Sequence, residues 1–217
     1  MTNRTTVEDL LILAKTYPLP STKYRETTCV AAINREGQLR RVYPVPFRFL
    51  EGALQFEKWE WVRAETAHAR TDHRPESHRI DVDTVQKLGE KVPSDDGWSR
   101  RLSIIEPHIF NDFSYLEDRR QQTKETLGFV RPSRLLSLDI TPEKDLDWTA
   151  SELQKLTQER LFEDTSRKPP TLQKLGHIFH YNYECSTPDG VRQYRHMITD
   201  WEAGALYINC RRKYGPE

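Results

Sequence analysis

The densest group of chemically able side chains lies between Asp72 and Arg79. Asp72, His73, Arg74, Glu76, His78 and Arg79 surround Pro75 and Ser77. Two imidazoles and two carboxylates at this spacing suit general acid–base work, and two guanidiniums suit an anion. The same residues also suit a loop knotted to a neighbouring strand by ion pairs. Asp72, His73, Glu76 and His78 are thus candidate acids and bases, with a divalent metal as an optional helper. Their spacing matches no metal-ligand signature.

A second group interleaves cations with aromatic rings: Lys15, Tyr17, Lys23, Tyr24, Arg25, Arg40, Arg41, Tyr43 and Arg48. Phosphates want Lys and Arg, and unstacked bases want flat faces. Strand alternation places Arg41, Tyr43 and Val45 on one face and Arg40, Val42 and Pro44 on the other. Arg40, Arg41, Tyr43, Arg48 and Arg74 are the candidate ligand contacts. The competing expectation is a core Tyr43, with the arginines paired to Glu26 or Glu36.

Cys185 and His196 flank the turn Pro188-Asp189-Gly190 and could face each other across it. A closed zinc site needs four ligands, so His177, His180 or Cys210 would have to join them. The alternative makes Cys185 a small core residue, Asp200 a helix cap and Trp201 a core ring. Cys29 sits in an apolar strand, where a thiol is inert. No Gly-x-Ser-x-Gly, P-loop or Gly-x-Gly-x-x-Gly string occurs, which weighs against common nucleotide hydrolases and dinucleotide enzymes. No cofactor is expected.

The elements that must carry these residues follow from pattern. Thr27–Asn34 and Leu39–Val45 form a hairpin around the turn Arg35–Gln38, ended by Pro44 and Pro46. Phe47–Phe56 is a compact turn or short helix. Lys58–Ala67 alternates as a third strand with Trp59 and Trp61 on one face. Thr71–Arg79 reads as loop, and Ile80–Leu88 as a short strand or helical turn. Asp95 or Asp96 caps a helix to about Ile105, and Phe113–Thr126 is helical with a dipole-favouring charge order. Leu127–Ile140 is extended and broken by Pro132. Ala150–Phe162 is a helix with an apolar stripe at Leu153, Leu156, Leu161 and Phe162, followed by the linker Glu163–Pro170. Gly176–Cys185 and Arg192–Thr199 form a second hairpin, and Asp200 caps a helix to Lys213.

The fold class is α+β, with OB-like β-barrel content in the N-terminal half, a helical insert, and a C-terminal β-hairpin plus helix. The division is residues 1–92 as the barrel and 93–217 as a mixed α/β domain, or one α+β domain of 1–217.

Composition narrows the function classes. The 33 basic and 33 acidic side chains cancel across 217 residues, which excludes a globally basic binder but not a local basic groove. The longest apolar run, Leu10–Ala14, falls far short of the roughly 20 residues a membrane helix needs. Glu8 and Asp9 interrupt any leader-like pattern. Three dispersed cysteines fit reduced thiols. A cytoplasmic protein with no membrane contact is expected.

Several strings resemble an uncharacterised family of bacterial proteins: Lys15-Thr16-Tyr17-Pro18, Glu26–Cys29, Arg41–Arg48, Arg74-Pro75-Glu76-Ser77 and Thr199-Asp200-Trp201-Glu202. The opening hairpin also resembles proteins with two OB-type barrels, associated with bacterial defence loci. That resemblance implies a five-stranded barrel and contact with nucleic acid. Family members carry a Cys–Cys–His cluster before the Asp-Trp-Glu string and continue past Arg211–Lys213. Here Cys185 and His196 stand without the intervening cysteine, and the chain is expected to be a shorter relative. The leading expectation is a nucleic-acid or nucleotide-binding accessory module of a bacterial defence or mobile-element system, with a partner protein of the same system. The alternatives are a metal-dependent enzyme on nucleic acid or nucleotide, and a protein–protein adaptor.

Overall fold

The computed structural model describes residues 4–158 and 169–215. Leu161 and Phe162 of the expected stripe, and most of the linker after them, lie outside these residues. Among the described residues no helix is long and apolar enough to cross a membrane.

Five strands close a barrel in the N-terminal half: β1 (Thr6–Lys15), β3 (Arg25–Asn34), β4 (Leu39–Val45), β5 (Glu60–His68) and β6 (Ser77–Ile80). Around the barrel the order is β1-β3-β4-β6-β5, and β5 returns to β1. Every pairing is antiparallel except that of β4 with β6. This is a Greek-key barrel of the OB type. The short β2 (Leu19–Ser21) adds to β3, and β7 (Gln86–Lys91) adds to β5.

The strand β1 is absent from the sequence expectations because it carries no alternation. Leu10 and Ile12 point into the barrel, while Leu11 and Leu13 point outward into a second apolar layer. A strand covered on both faces reads as a continuous apolar run. The cover over its outer face is α1 (Ser99–Ile105), which closes over Trp59, Trp61, Ile33 and Leu39. Arg101 sits 4.9 Å from the ring centroids of both Trp59 and Trp98.

One further expectation is corrected. Ser77, His78 and Arg79 belong to strand β6, not to the loop before it. Strand β4 runs Leu39–Val45 as read and contains Pro44. The proline is tolerated because β4 pairs with β6 only at Arg41 and Val42, so no ladder partner waits for a proline nitrogen. The hairpin turn holds as read, with Gly37 at φ 76°.

The remaining elements are β8 (Ile109–Phe110), α2 (Phe113–Thr123), β9 (Phe129–Val130), β10 (Arg134–Pro142), α3 (Ala150–Thr157), β11 (His177–Thr187), β12 (Gly190–Ile198) and α4 (Trp201–Tyr214). Strands β10, β11 and β12 form an antiparallel sheet. Asp112 caps α2 by accepting from Ser114 N, and is fully buried under the Tyr194 hydroxyl at 3.0 Å.

The chain's two ends meet at a seam. Asp200 caps α4 and also takes Lys58 Nζ at 2.8 Å, while Tyr17 N donates to Thr199 O at 2.8 Å. Trp201 packs edge-on against Phe47 at 5.4 Å and lies 6.3 Å from the Tyr17 ring. Gly204 is required there, since a Cβ would stand 2.7 Å from the Tyr17 ring. Lys15 Nζ donates to Phe56 O at 2.8 Å and lies 3.9 Å from the Phe47 centroid. The string around Lys15 and the string around Trp201, far apart in sequence, are one contact in space.

Burial lowers the Lys15 amine from 10.5 to about 8. From about pH 8 to 10.5 the unfolded chain therefore holds a proton that the folded chain has lost, and stability rises with pH over that window. Lys15→Met should flatten this rise, read as thermal midpoint against pH. Trp201→Ala should cost about 3 kcal/mol in a denaturant titration.

Candidate nucleic-acid interface

The outer surface of β3 and β4 has two parts. Near the Gly37 turn it is covered by α1. Further along, β3 presents the short side chains of Thr27, Cys29 and Ala31, and β4 presents Arg41 and Tyr43. Ala31 stands opposite Arg41 in the ladder. Tyr43 is 42% exposed, so it is not a core residue. Its hydroxyl accepts from Thr27 Oγ1 at 3.4 Å, and the Arg41 guanidinium lies 5.4 Å from its ring.

Val45 does not share this face, contrary to the simple alternation. The register runs Thr28↔Val45 and Val30↔Val42, which leaves an extra residue on β4. Such a bulge resets the alternation, so Val42 and Val45 both enter the core.

Asp72 organises the neighbouring loop. Its carboxylate takes Arg41 Nη1 at 2.9 Å, Arg74 Nη2 at 2.6 Å and Ser77 Oγ at 2.8 Å. The Arg74 guanidinium holds the Asp72 carboxyl well below the usual carboxylate range. One acid thereby orients two arginines beside Tyr43. Cys29 lies close enough to feel both arginines, yet burial pushes its thiol up, which disfavours the reactive thiolate.

The other arginines serve the scaffold. Arg40 Nη2 pairs with Glu8 at 2.8 Å inside the barrel mouth, where Thr66 and Asn34 also donate to Glu8. These bonds hold the Glu8 carboxyl low against its burial. Arg48 pairs with the buried Glu26 at 2.9 Å and donates to Pro170 O. Of the five predicted contacts, Arg41, Tyr43 and Arg74 are brought together; Arg40 and Arg48 are engaged elsewhere.

The predicted acids and bases do not converge. His78 lines a cleft of about 680 Å³ at the barrel mouth, its ring 5.4 Å from His68. There it donates from Nδ1 to Glu76 O at 3.0 Å, and burial lowers its pKa. Glu76 is buried and accepts from Thr126 N at 2.7 Å and Thr126 Oγ1 at 2.6 Å, beside a second cleft. The exposed His73 lines a third.

Cys185 and His196 share a sheet face but not a rung. Cys185 stands opposite Arg192, His196 stands opposite Tyr181, and the pair Tyr183–Tyr194 lies between them. His196 Nδ1 is engaged by Tyr183 Oη at 2.9 Å. Among the described residues no three His, Cys, Asp or Glu side chains are grouped to hold a metal ion.

Two domain families of unknown function cover the chain. Residues 6–107 match the model of a domain of unknown function (DUF8758), and residues 111–217 match another (DUF8757). No curated protein and no solved structure matches the chain. The first match holds the whole barrel with α1; the second holds the C-terminal sheet with α2, α3 and α4.

Asp72→Ala should leave Arg41 and Arg74 without their acceptor and cost about 1–2 kcal/mol in a urea titration. Because the native pKa lies below 3.8, this contribution is present above that pH and lost as pH falls. The variant should lack that part of the acid sensitivity.

Proposed function

We propose that this chain binds single-stranded nucleic acid along the open part of the β3–β4 face. One observation carries the reading. An exposed tyrosine stands on a floor of short side chains, between an arginine of its own strand and a loop that holds a second arginine. In OB-type barrels the second and third strands and the loop between the fourth and fifth strands are the surfaces that take oligonucleotides. Here these are β3, β4 and residues 69–76. Tyr43 would stack on a base, and Arg41 and Arg74 would meet phosphates. The role as an accessory module of a bacterial defence or mobile-element system rests on the resemblance to proteins with two OB-type barrels.

The dispersal of Asp72, His73, Glu76 and His78 gives no support to a metal-dependent enzyme. A protein–protein adaptor has one observation in its favour. Leu135, Leu138 and Ile140 of β10 are each more than half exposed, and Tyr181 beside them is 44% exposed. Exposed apolar side chains along one strand are what a partner protein would cover, and a second copy of the chain is the occupant put to the test. Sedimentation of wild type beside Leu138→Asp decides it: two identical monomer profiles remove the reading.

The nucleic-acid reading is tested by fluorescence anisotropy with labelled single-stranded DNA and RNA. Affinity should fall as salt rises, and Arg41→Ala should lower the log–log salt slope by about 0.7. Tyr43→Ala should cost about 1–3 kcal/mol of stacking with the slope unchanged. Absence of binding at low salt, or a Tyr43→Ala protein that binds like wild type, overturns the reading.

A further inference from the structure

Beyond the loop that holds Arg74, the surface falls into a depression of about 500 Å³ lined by His73, Arg74, Arg120, Gln121, Lys124 and Thr126. No carboxylate lines it. His73 and Arg74 come from the barrel loop, and the other four from the end of α2 and the residues after it. Three cationic side chains and one histidine thus meet at one hollow, Arg74 paired behind it with Asp72 and Arg120 with Glu117.

The hollow is built rather than incidental. Glu76 Oε1 takes both the backbone N and the Oγ1 of Thr126, which ties the barrel loop to the segment after α2. Arg74 Nη1 reaches Thr126 Oγ1 at 3.4 Å. Lys124 closes α2 in the left-handed conformation, with its N–H on Arg120 O at 3.0 Å. Arg74 is held by Asp72 before any ligand arrives, which spares part of the ordering cost of binding, and Lys124 Nζ donates to Gln121 O at 3.2 Å. The ordinary role of Arg120 and Lys124 is to offset the negative end of α2, and Arg120 also pairs with Glu117 at 2.7 Å. That role explains cations on the helix, but not why the barrel adds Arg74 and His73 to the same hollow.

The hollow is also continuous with the β4 face. Tyr43 contacts Arg41, Arg41 and Arg74 share Asp72, and Arg74 opens onto the depression. We infer that the depression is a phosphodiester subsite, shared by the two matched domains, that extends the path of a single strand from the barrel onto α2. The inference rests on the nucleic-acid reading of the β4 face and adds Arg120, Lys124 and His73 to it.

Two oligothymidylates, of about 6 and about 16 nucleotides, lie near the short and long ends of the range that a single OB barrel covers. The probe is the full chain with Arg120→Gln and Lys124→Asn together; asparagine tolerates the left-handed position of Lys124. With the longer strand, two lost phosphate contacts should lower the log–log salt slope by about 1.4. The shorter strand, seated on the barrel, should bind as to wild type. Gln121→Glu, which puts a carboxylate in the hollow without touching its cations, should weaken the longer strand selectively. An unchanged slope with the longer strand, or equal losses for both lengths, overturns the subsite while leaving the β4 reading in place. If wild type binds neither length at low salt, both readings fall. Inorganic phosphate at matched ionic strength identifies the source of the anion. A thermal midpoint that rises in wild type but not in the double variant, with no length dependence of oligonucleotide binding, would mark a free-anion site and overturn the strand path.

Discussion

A five-stranded sheet becomes a barrel only if its first and last strands pair with each other, and in this protein β1 closes the circle onto β5. It pairs with β3 from Leu10 to Lys15 and with β5 from Thr6 to Leu11. Closure removes the sheet edges that would otherwise seek a partner. Strand β1 is apolar on both sides between Leu10 and Leu13: inward to the barrel core, and outward to the layer that α1 covers. That cover divides the outer barrel surface. Where α1 lies, the surface is closed by Trp59 and Trp61; where α1 ends, β3 and β4 stay open and carry polar groups.

Charge pairing inside the barrel settles which cations face outward. Arg40 and Arg41 are neighbours with opposite fates. Arg40 points into the mouth and is held by Glu8, with a side chain 13% exposed. Arg41 points out and shares Asp72 with Arg74. A buried pair of this kind costs much to desolvate and contributes little net stability, but breaking it leaves an orphaned charge. Glu8 is thus committed to structure, and Asp72 is the acid that positions exposed cations.

How much of this was legible in the sequence differs element by element. The hairpin with Gly37, the Trp-bearing strand, the helix from Phe113 and the Asp200-capped helix all carry local signals, because caps, turns and alternation act within a few residues. The two-sided burial of β1 erased its alternation, and β6 hid in a polar string because main-chain pairing and the Asp72–Ser77 bond place it. Arg41 and Tyr43 could be named from alternation alone, but the bulge that sends Val45 inward could not. Glu26 could be named as an arginine's partner and takes Arg48, but the Arg40–Glu8 pair joins residues 32 positions apart, and no local pattern separates Arg40 from Arg41 and Arg74. Arg120 and Lys124 look like ordinary helix-end cations until the barrel loop is seen beside them.

The seam at Gly204 bears on where the chain can be divided. The family matches divide it between residues 107 and 111, a cut that the linear order invites. Packing ignores the cut: the first helix turn after Asp200 seats Trp201 on rings that follow the first and fourth strands, and an absent side chain at Gly204 admits Tyr17. A first domain alone would leave the Phe47 recess wet, and a second domain alone would carry a bare indole into solvent. In this chain the two matched segments are therefore tied by shape, and the hollow lined by His73, Arg74, Arg120 and Lys124 lies across the same border.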